Sequence, residues 1–299
     1  MTRKHTALIL CLALTAALLA PVSCQKDKSD SRPETSSARP GNPDASRPLA
    51  SAPPASRAQE SVSAPMEPDQ LPAEKVTWGP GRGTDHGLPP GAAACQREYG
   101  ARDVLFLRQN HTDRKIALTF DEGYEFGLSG RILDILREKK VHAVFFVTMD
   151  FARHNPELIR RMIAEGHAVG NHSTTHPSFP GCSPEKQRRE VMTLHNHILK
   201  EFGYRMHYFH YPMGKFSRQS LAVLRSLGYT AVFWSFAHRD WVTDDQPDPG
   251  KSLKLLTDQL HPGAIYLLHA VSRTDTEILA DWIDRARAQG YSFVFPDAA

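Results

Sequence analysis

Thr119-Phe120-Asp121-Glu122-Gly123 places two adjacent carboxylates at the end of an apolar run, just before a glycine turn. Side chains alternate faces along a strand, so only the turn can bring both acids to one mouth. The plainer alternative is turn chemistry with a helix-capping acid. Gly170-Asn-His-Ser-Thr-Thr-His176 is the stronger signal. Its histidines, His172 and His176, share a face if the turn is helical, which suits two imidazoles on one metal; surface decoration is the alternative. Two neutral imidazoles and one carboxylate leave open positions for water and substrate, a set suited to zinc, cobalt, iron or nickel. Trp234-Ser-Phe-Ala-His-Arg-Asp240-Trp241 and Ile265-Tyr-Leu-Leu-His269 each put a polar residue after an apolar run. Read singly, Trp241 is packing and His269 a satisfied core histidine. Together, Asp240 beside His269 makes an oriented acid/base pair.

These residues need elements to hold them. Strand-like apolar runs fall at 115–120, 143–147, 167–169, 206–211, 230–234, 264–269 and 293–295. Stretches of helical period fall between them at 129–139, 156–165, 184–202, 217–227, 251–260 and 274–289. Asn155-Pro156 and Ser183-Pro184 mark helix starts, and Gly166, Gly203, Gly228 and Gly290 mark helix ends. The alternation predicts an α/β domain with a parallel sheet, open or closed into a barrel. In both, chemistry gathers beyond the carboxyl ends of the strands, where these polar residues lie.

The rest of the 299-residue chain is organised differently. Basic Met1–His5 precedes an apolar run, Ala7–Ala20, broken only by Thr15 and short for a membrane span. It reads as a signal peptide, so the protein is expected to be exported. Pro21-Val-Ser-Cys24 resembles a bacterial lipobox, in which Cys24 takes a lipid anchor to the membrane; ordinary signal cleavage is the alternative. Residues 25–75 are rich in Ser, Pro and Ala and poor in large apolar residues, which predicts a disordered tether. Residues 76–299 form the domain, with an N-terminal extension and a core at about 114–295. Cys95 and Cys182 either pair in an oxidising compartment or stay as thiols. A net charge of only +3, with no basic block among stacking aromatics, gives nucleic-acid binding no support.

From about Trp78 to the C-terminus the chain resembles the polysaccharide deacetylases of the NodB-homology type, carbohydrate esterase family 4. The resemblance rests on Thr119–Glu125, Gly-Asn-His-Ser, Val232-Phe-Trp-Ser, Asp240-Trp241, and Gly263–His269 with Val271-Ser272. These look most like the branch that removes acetyl from N-acetylmuramic acid in peptidoglycan on the way to muramic delta-lactam. The resemblance implies a distorted (β/α) barrel, with Asp121 as general base, His269 as general acid and Asp240 holding it. His172, His176 and Glu122 match the metal ligands, zinc first, with cobalt, nickel, iron or manganese as alternatives. The Tyr211 backbone N–H matches the oxyanion donor, and Tyr211, Trp241 and Leu267 match the acetyl pocket. Peptidoglycan glycan strands are the implied partner, after an amidase has removed the peptide. The chain departs from the family twice. Glu122 stands for Asp, and His210 stands where an arginine pairs with the base, leaving Arg239 and Lys215 as substitute cations. Other readings are a deacetylase of chitin-like glycans, a catalytically weakened wall-binding protein on this scaffold, and a small-molecule amidohydrolase.

Overall fold

The computed structural model describes residues 67–99, 104–105 and 113–296. The expected signal peptide, the lipobox and the tether up to residue 66 lie outside the described residues. Strands are β1 (Val76–Thr77), β2 (Val104–Leu105), β3 (Lys115–Glu122), β4 (Val144–Val147), β5 (Ala168–Asn171), β6 (Tyr208–Phe209), β7 (Lys215–Phe216), β8 (Thr230–Val232), β9 (Phe236–Ala237), β10 (Ile265–His269) and β11 (Ser292–Phe293). Helices are α1 (Pro90–Tyr99), α2 (Ser129–Lys139), α3 (Met149–His154), α4 (Pro156–Ala164), α5 (Pro184–Phe202), α6 (Arg218–Ser226), α7 (Pro249–Asp258) and α8 (Arg273–Ala288).

The main sheet runs β2-β8-β6-β5-β4-β3-β10-β9, with β11 also on β3, and every pairing in it is parallel. Among the described residues no pairing joins β2 to β9, so the sheet curls into a distorted, open-seamed (β/α) barrel. Its central strands are buried on both faces, which is why Ile116–Leu118 and Val144–Val147 read as continuous apolar runs. Alternation splits the core in two. Ala117, Val144, Phe146, Ala168, Tyr208, Val232 and Ile265 pack together on one face. Ile116, Leu118, Phe120, Phe145 and Val147 join the helix-side cluster with Ile132, Leu136, Ile159 and Trp282.

Capping follows the sequence closely, with one exception. Ser183 accepts from the Lys186 N–H to start α5, and the four expected helix-ending glycines all have positive φ. Asn155, however, donates Nδ2 to the Phe151 carbonyl (3.1 Å), closing α3, and makes no side-chain cap for α4. The six-residue α3, capped by Thr148, is too short to show a period and was not predicted.

Residues 67–75, expected to belong to the tether, pack on the domain instead. Pro68–Gln70 forms a 3₁₀ turn with Pro68 buried, and the Pro72 carbonyl accepts from Gln219 N–H (3.1 Å). Proline lowers the apparent hydrophobicity of a segment, yet its ring buries without leaving an N–H unsatisfied. Next, β1 pairs antiparallel with β7, and Trp78 donates Nε1 to the Trp234 carbonyl (2.9 Å). The extension is thereby tied to the segment following His210. Cys95 and Cys182 are both free thiols, so the disulfide alternative is not formed.

Candidate active site

Strand register builds the rim. His269 stands opposite Asp121, Asp121 opposite Phe146, Phe146 opposite Gly170, and Asn171 opposite Phe209. Residues just beyond these ends, His172 after β5 and His210 after β6, therefore emerge on one edge. His238 and Asp240 join them from beyond β9, where Ala237 pairs with Leu267. The rim opens into a cavity of about 760 Å3 whose lining includes Asp121, His172, His176, His210, Trp241 and His269.

Asp121 lies on the barrel side of β3 and is buried. Its Oδ2 is 3.4 Å from His172 Nε2 and 3.9 Å from His269 Nε2, and its Oδ1 is 3.2 Å from His210 Nδ1. Burial alone raises this carboxyl, but in the acid range where it titrates the positive charges of His172, His210 and His269 outweigh burial and hold the group well below the usual carboxylate range. His210 itself thus occupies the place beside the base. Its ring is wedged between Phe146 and Trp234, each 5.0 Å away between centroids. Neither substitute cation is needed there: Arg239 pairs with Asp245 at 2.6 Å, and Lys215 reaches the Met213 sulfur.

Glu122 requires a correction. The strand continues through Glu122 rather than ending at Phe120, so the period of two survives and sends adjacent acids to opposite faces. Glu122 is fully buried on the helix side, accepts from the Ser129 hydroxyl (3.1 Å) and does not line the cavity. Burial, with Glu125 and Asp121 adding, pushes its carboxyl well above the ordinary range, so it is held neutral. The structure does not bring it to the histidines. Accordingly, Glu122→Gln should leave bound metal and turnover near wild type, measured by elemental analysis and deacetylation rate; loss of the metal would restore Glu122 as a ligand.

His172–His176 is a loop and not a helical turn. Ser173 and His176 have φ of 71° and 56°, conformations that need support in non-glycine residues. The Asn171 side chain accepts from Ser173 N–H, Ser173 Oγ accepts from His176 N–H, and Glu190 receives both the Thr175 N–H and its hydroxyl. This local network sets the two rings 4.7 Å apart between centroids. His172 Nδ1 lies 2.9 Å from the His210 carbonyl oxygen, an acceptor, so Nδ1 carries the proton. Burial lowers the His172 pKa to about 3, leaving a neutral ring with a lone pair on Nε2. That lone pair faces the Asp121 carboxylate, two acceptors in contact, and a cation seated before them removes the conflict. The donor chemistry fits a divalent metal held by His172 and His176, although the donor atoms of these two residues and Asp121 do not all lie within 4.8 Å of one another.

Across the mouth, Asp240 is fully buried. Its Oδ1 accepts from His269 Nδ1 (2.7 Å) and its Oδ2 from His269 N–H (2.8 Å). Burial alone lowers an imidazole, but the charge and hydrogen bond of Asp240 overcome it, and the His269 pKa rises to about 9. Its Nε2 is thus a proton donor aimed at the cavity. Trp241 and Leu267 line that cavity as expected, with the Trp241 ring 5.3 Å from that of His269. The Tyr211 ring does not. It is wholly buried among Phe179, Phe209, Phe216 and Phe233, because an aromatic core fills the helix side behind it. Sequence reasoning passed over Tyr124, Met213 and His238, which also line the mouth. Tyr124 and Met213 are about half exposed, and their apolar character at a rim of polar loops was the available signal.

The polysaccharide deacetylase family profile matches residues 108–232. Peptidoglycan-N-acetylmuramic acid deacetylase PdaA of Bacillus subtilis is 37% identical over 226 residues, covering 75% of this chain and 86% of that one. Its solved structure, a family 4 carbohydrate esterase, matches with a TM-score of 0.70 over 75% of this chain and 95% of that chain. A chitooligosaccharide deacetylase of Bradyrhizobium is 36% identical over 171 residues, 56% of this chain and 77% of that one. A family 4 pseudoenzyme of Bacillus anthracis matches at 26% identity with a TM-score of 0.58, over 62% of this chain and 64% of that chain. Fold, rim and sequence agree that the chain belongs to the polysaccharide deacetylase family, hydrolases of amide bonds.

Proposed function

We propose that this protein removes acetyl groups from the amino sugars of peptidoglycan, with N-acetylmuramic acid on the delta-lactam route as the preferred substrate. The observation that carries the reading is an ionised Asp121 facing a protonated His269 across one cavity, beside an imidazole with a free lone pair. The similarity to the muramic acid deacetylase over three quarters of the chain supports the choice of sugar.

Asp121 takes the proton of the attacking water. His269 Nε2 gives its proton to the departing amine, while Asp240 keeps the ring oriented through Nδ1. Trp241 and Leu267 wall the acetyl methyl, and the Tyr211 backbone N–H is assigned to the carbonyl oxygen as negative charge develops there. His172 and His176 are the residues that would hold a divalent ion, zinc first, whose presence polarises the acetyl carbonyl and acidifies the nearby water.

Export and a Cys24 lipid anchor would place the domain at its polymer, with the tether giving reach and an upstream amidase baring the sugar. Among the described residues no helix is long and apolar enough to cross a membrane. The competing reading, a weakened wall-binding protein, draws on His210 and on the similarity to a pseudoenzyme. Against it, His210 still stands beside the base, with Nδ1 3.2 Å from Asp121 Oδ1. Mass spectrometry of digested glycan strands decides between them. Purified protein should lower muramic acid fragments by the mass of an acetyl group less the hydrogen that replaces it, chelation should abolish this, and zinc or cobalt should restore it. Unchanged digests with folded, metal-loaded protein would leave only binding.

A further inference from the structure

A second His–Asp pair lies behind the first. Asp275 occupies the third position of α8, where Ser272 caps the helix by accepting the Asp275 N–H (3.0 Å). An acid at this position ordinarily reaches back to the N–H of the cap residue. Here that N–H is taken by the His269 carbonyl (2.9 Å), and the Asp275 carboxylate turns to His238, with Nε2 at 2.9 and 3.1 Å from its two oxygens. The His238 and Asp275 side chains are 5% and 2% exposed, and His238 Nε2 is 4.0 Å from Asp240 Oδ2.

Both pairs bridge the same two segments. His238 and Asp240 follow β9, while His269 ends β10 and Asp275 opens α8. Asp240 reaches across to His269 and His238 reaches across to Asp275, so the histidine and carboxylate sides are exchanged between the two rungs. His238, Asp240 and Asp275 bring their donor atoms within 4.8 Å, close enough for a metal. Each is already committed, however: both oxygens of Asp240 to His269, and both of Asp275 to His238.

We propose that His238 and Asp275 form a positioning pair for the proton donor, locking the two segments at the separation that the Asp240–His269 bond requires. The inference rests on the deacetylase reading. Asp240 and Asp275 also interact directly with each other, and the His238 imidazole sits beside both of these buried acids. Burial pulls the His238 ring down, but the bond to Asp275 and the charges of Asp275 and Asp240 reverse it, and its pKa is raised. The Asp275 carboxyl is pushed up by burial and by Asp240, against the pull of His238. Without His238, these two neighbouring acids lose the imidazole that interacts with both. One must then move or take a proton, and either change loosens the hold on His269.

The test uses the full chain with Asp275→Asn and His238→Gln, alongside His269→Ala as reference. Turnover and KM are measured on N-acetylated glycan strands and on nitrophenyl acetate, an ester whose leaving group needs no proton. Asp275→Asn should lower kcat on the amide about 10- to 100-fold, since small misplacements of a reacting group carry penalties of this size. KM should hold, and ester hydrolysis should stay near wild type, a weaker form of the split shown by His269→Ala. Equal losses on both substrates mean a merely structural pair, and no loss on either means an idle one; both overturn the proposal. If His269→Ala itself shows no split, the deacetylase reading fails instead. Should Asp275→Asn melt early by circular dichroism, His238→Gln, which leaves the cap of α8 intact, decides.

Discussion

Replacing Asp121 by Asn should lower deacetylation about 10²–10⁴-fold, the range for loss of a positioned base, while bound metal and glycan affinity remain near wild type. The substitution keeps the shape of a buried side chain and removes only its capacity to take a proton. His172 and His176, the residues assigned to the metal, are untouched, and their loop is held by Asn171, Ser173 and Glu190 rather than by Asp121. The low pKa that keeps Asp121 ionised also makes it an intrinsically weak base. Its contribution is therefore positional: a carboxylate oxygen fixed at the rim, 3.4 Å from His172 Nε2 and 3.9 Å from His269 Nε2, where the water must lie. The checks are steady-state rates, metal content by elemental analysis and a pull-down on glycan strands. A variant that keeps its turnover would remove Asp121 from the mechanism. One that loses metal with activity would make it a ligand as well.

Much of this arrangement was legible because parallel strands announce themselves. Runs such as Val144–Val147 and Ile265–Leu268 carry no charged residue at any position, and a charged residue ending such a run can only sit at a rim. Asp121, His172, Asp240 and His269 were found on that logic. The failures have physical causes too. Glu122 was placed at the mouth because a glycine two residues after Asp121 suggested an earlier turn, whereas β3 keeps its pleat through Glu122. The His172–His176 spacing suggested a helical turn, but Ser173 at φ 71° forbids one, and the loop that replaces it depends partly on the distant Glu190. Tyr211 looked like a pocket residue, yet besides Phe209 its ring joins Phe179, Phe216 and Phe233 from three other segments, which no local pattern reveals. Asp275 was hidden for the opposite reason. An acid in the first turn of a helix complements the helix dipole and asks for no further explanation. Its partner lies 37 residues earlier, and the link is visible only once β9 and β10 are paired.

Asp240→Asn should be as damaging as loss of the base on the amide substrate, about 10²–10⁴-fold, and nearly harmless on nitrophenyl acetate. Both oxygens of Asp240 accept, one from His269 Nδ1–H and one from the His269 backbone N–H. Asparagine offers a single acceptor oxygen and sets an NH2 group against the other donor. If the oxygen keeps the backbone bond, His269 must turn Nδ1 into an acceptor and move its proton to Nε2. A neutral ring in that tautomer is a far weaker acid than the imidazolium it replaces, so the amine departs unassisted, while an aryl ester is unaffected. The pH profile carries an independent sign. In the wild type the anion raises the His269 pKa to about 9, against burial, so the proton donor stays loaded through neutral pH and is lost only as pH rises through that value. Removing the anion leaves burial unopposed by its strongest partner, and the alkaline limb of kcat must move toward lower pH. An unmoved limb, or equal losses on amide and ester, would show that Asp240 supports the fold without tuning His269. A shifted limb with an amide-only loss would assign the proton to His269 Nε2 and the raised pKa to the buried carboxylate behind it.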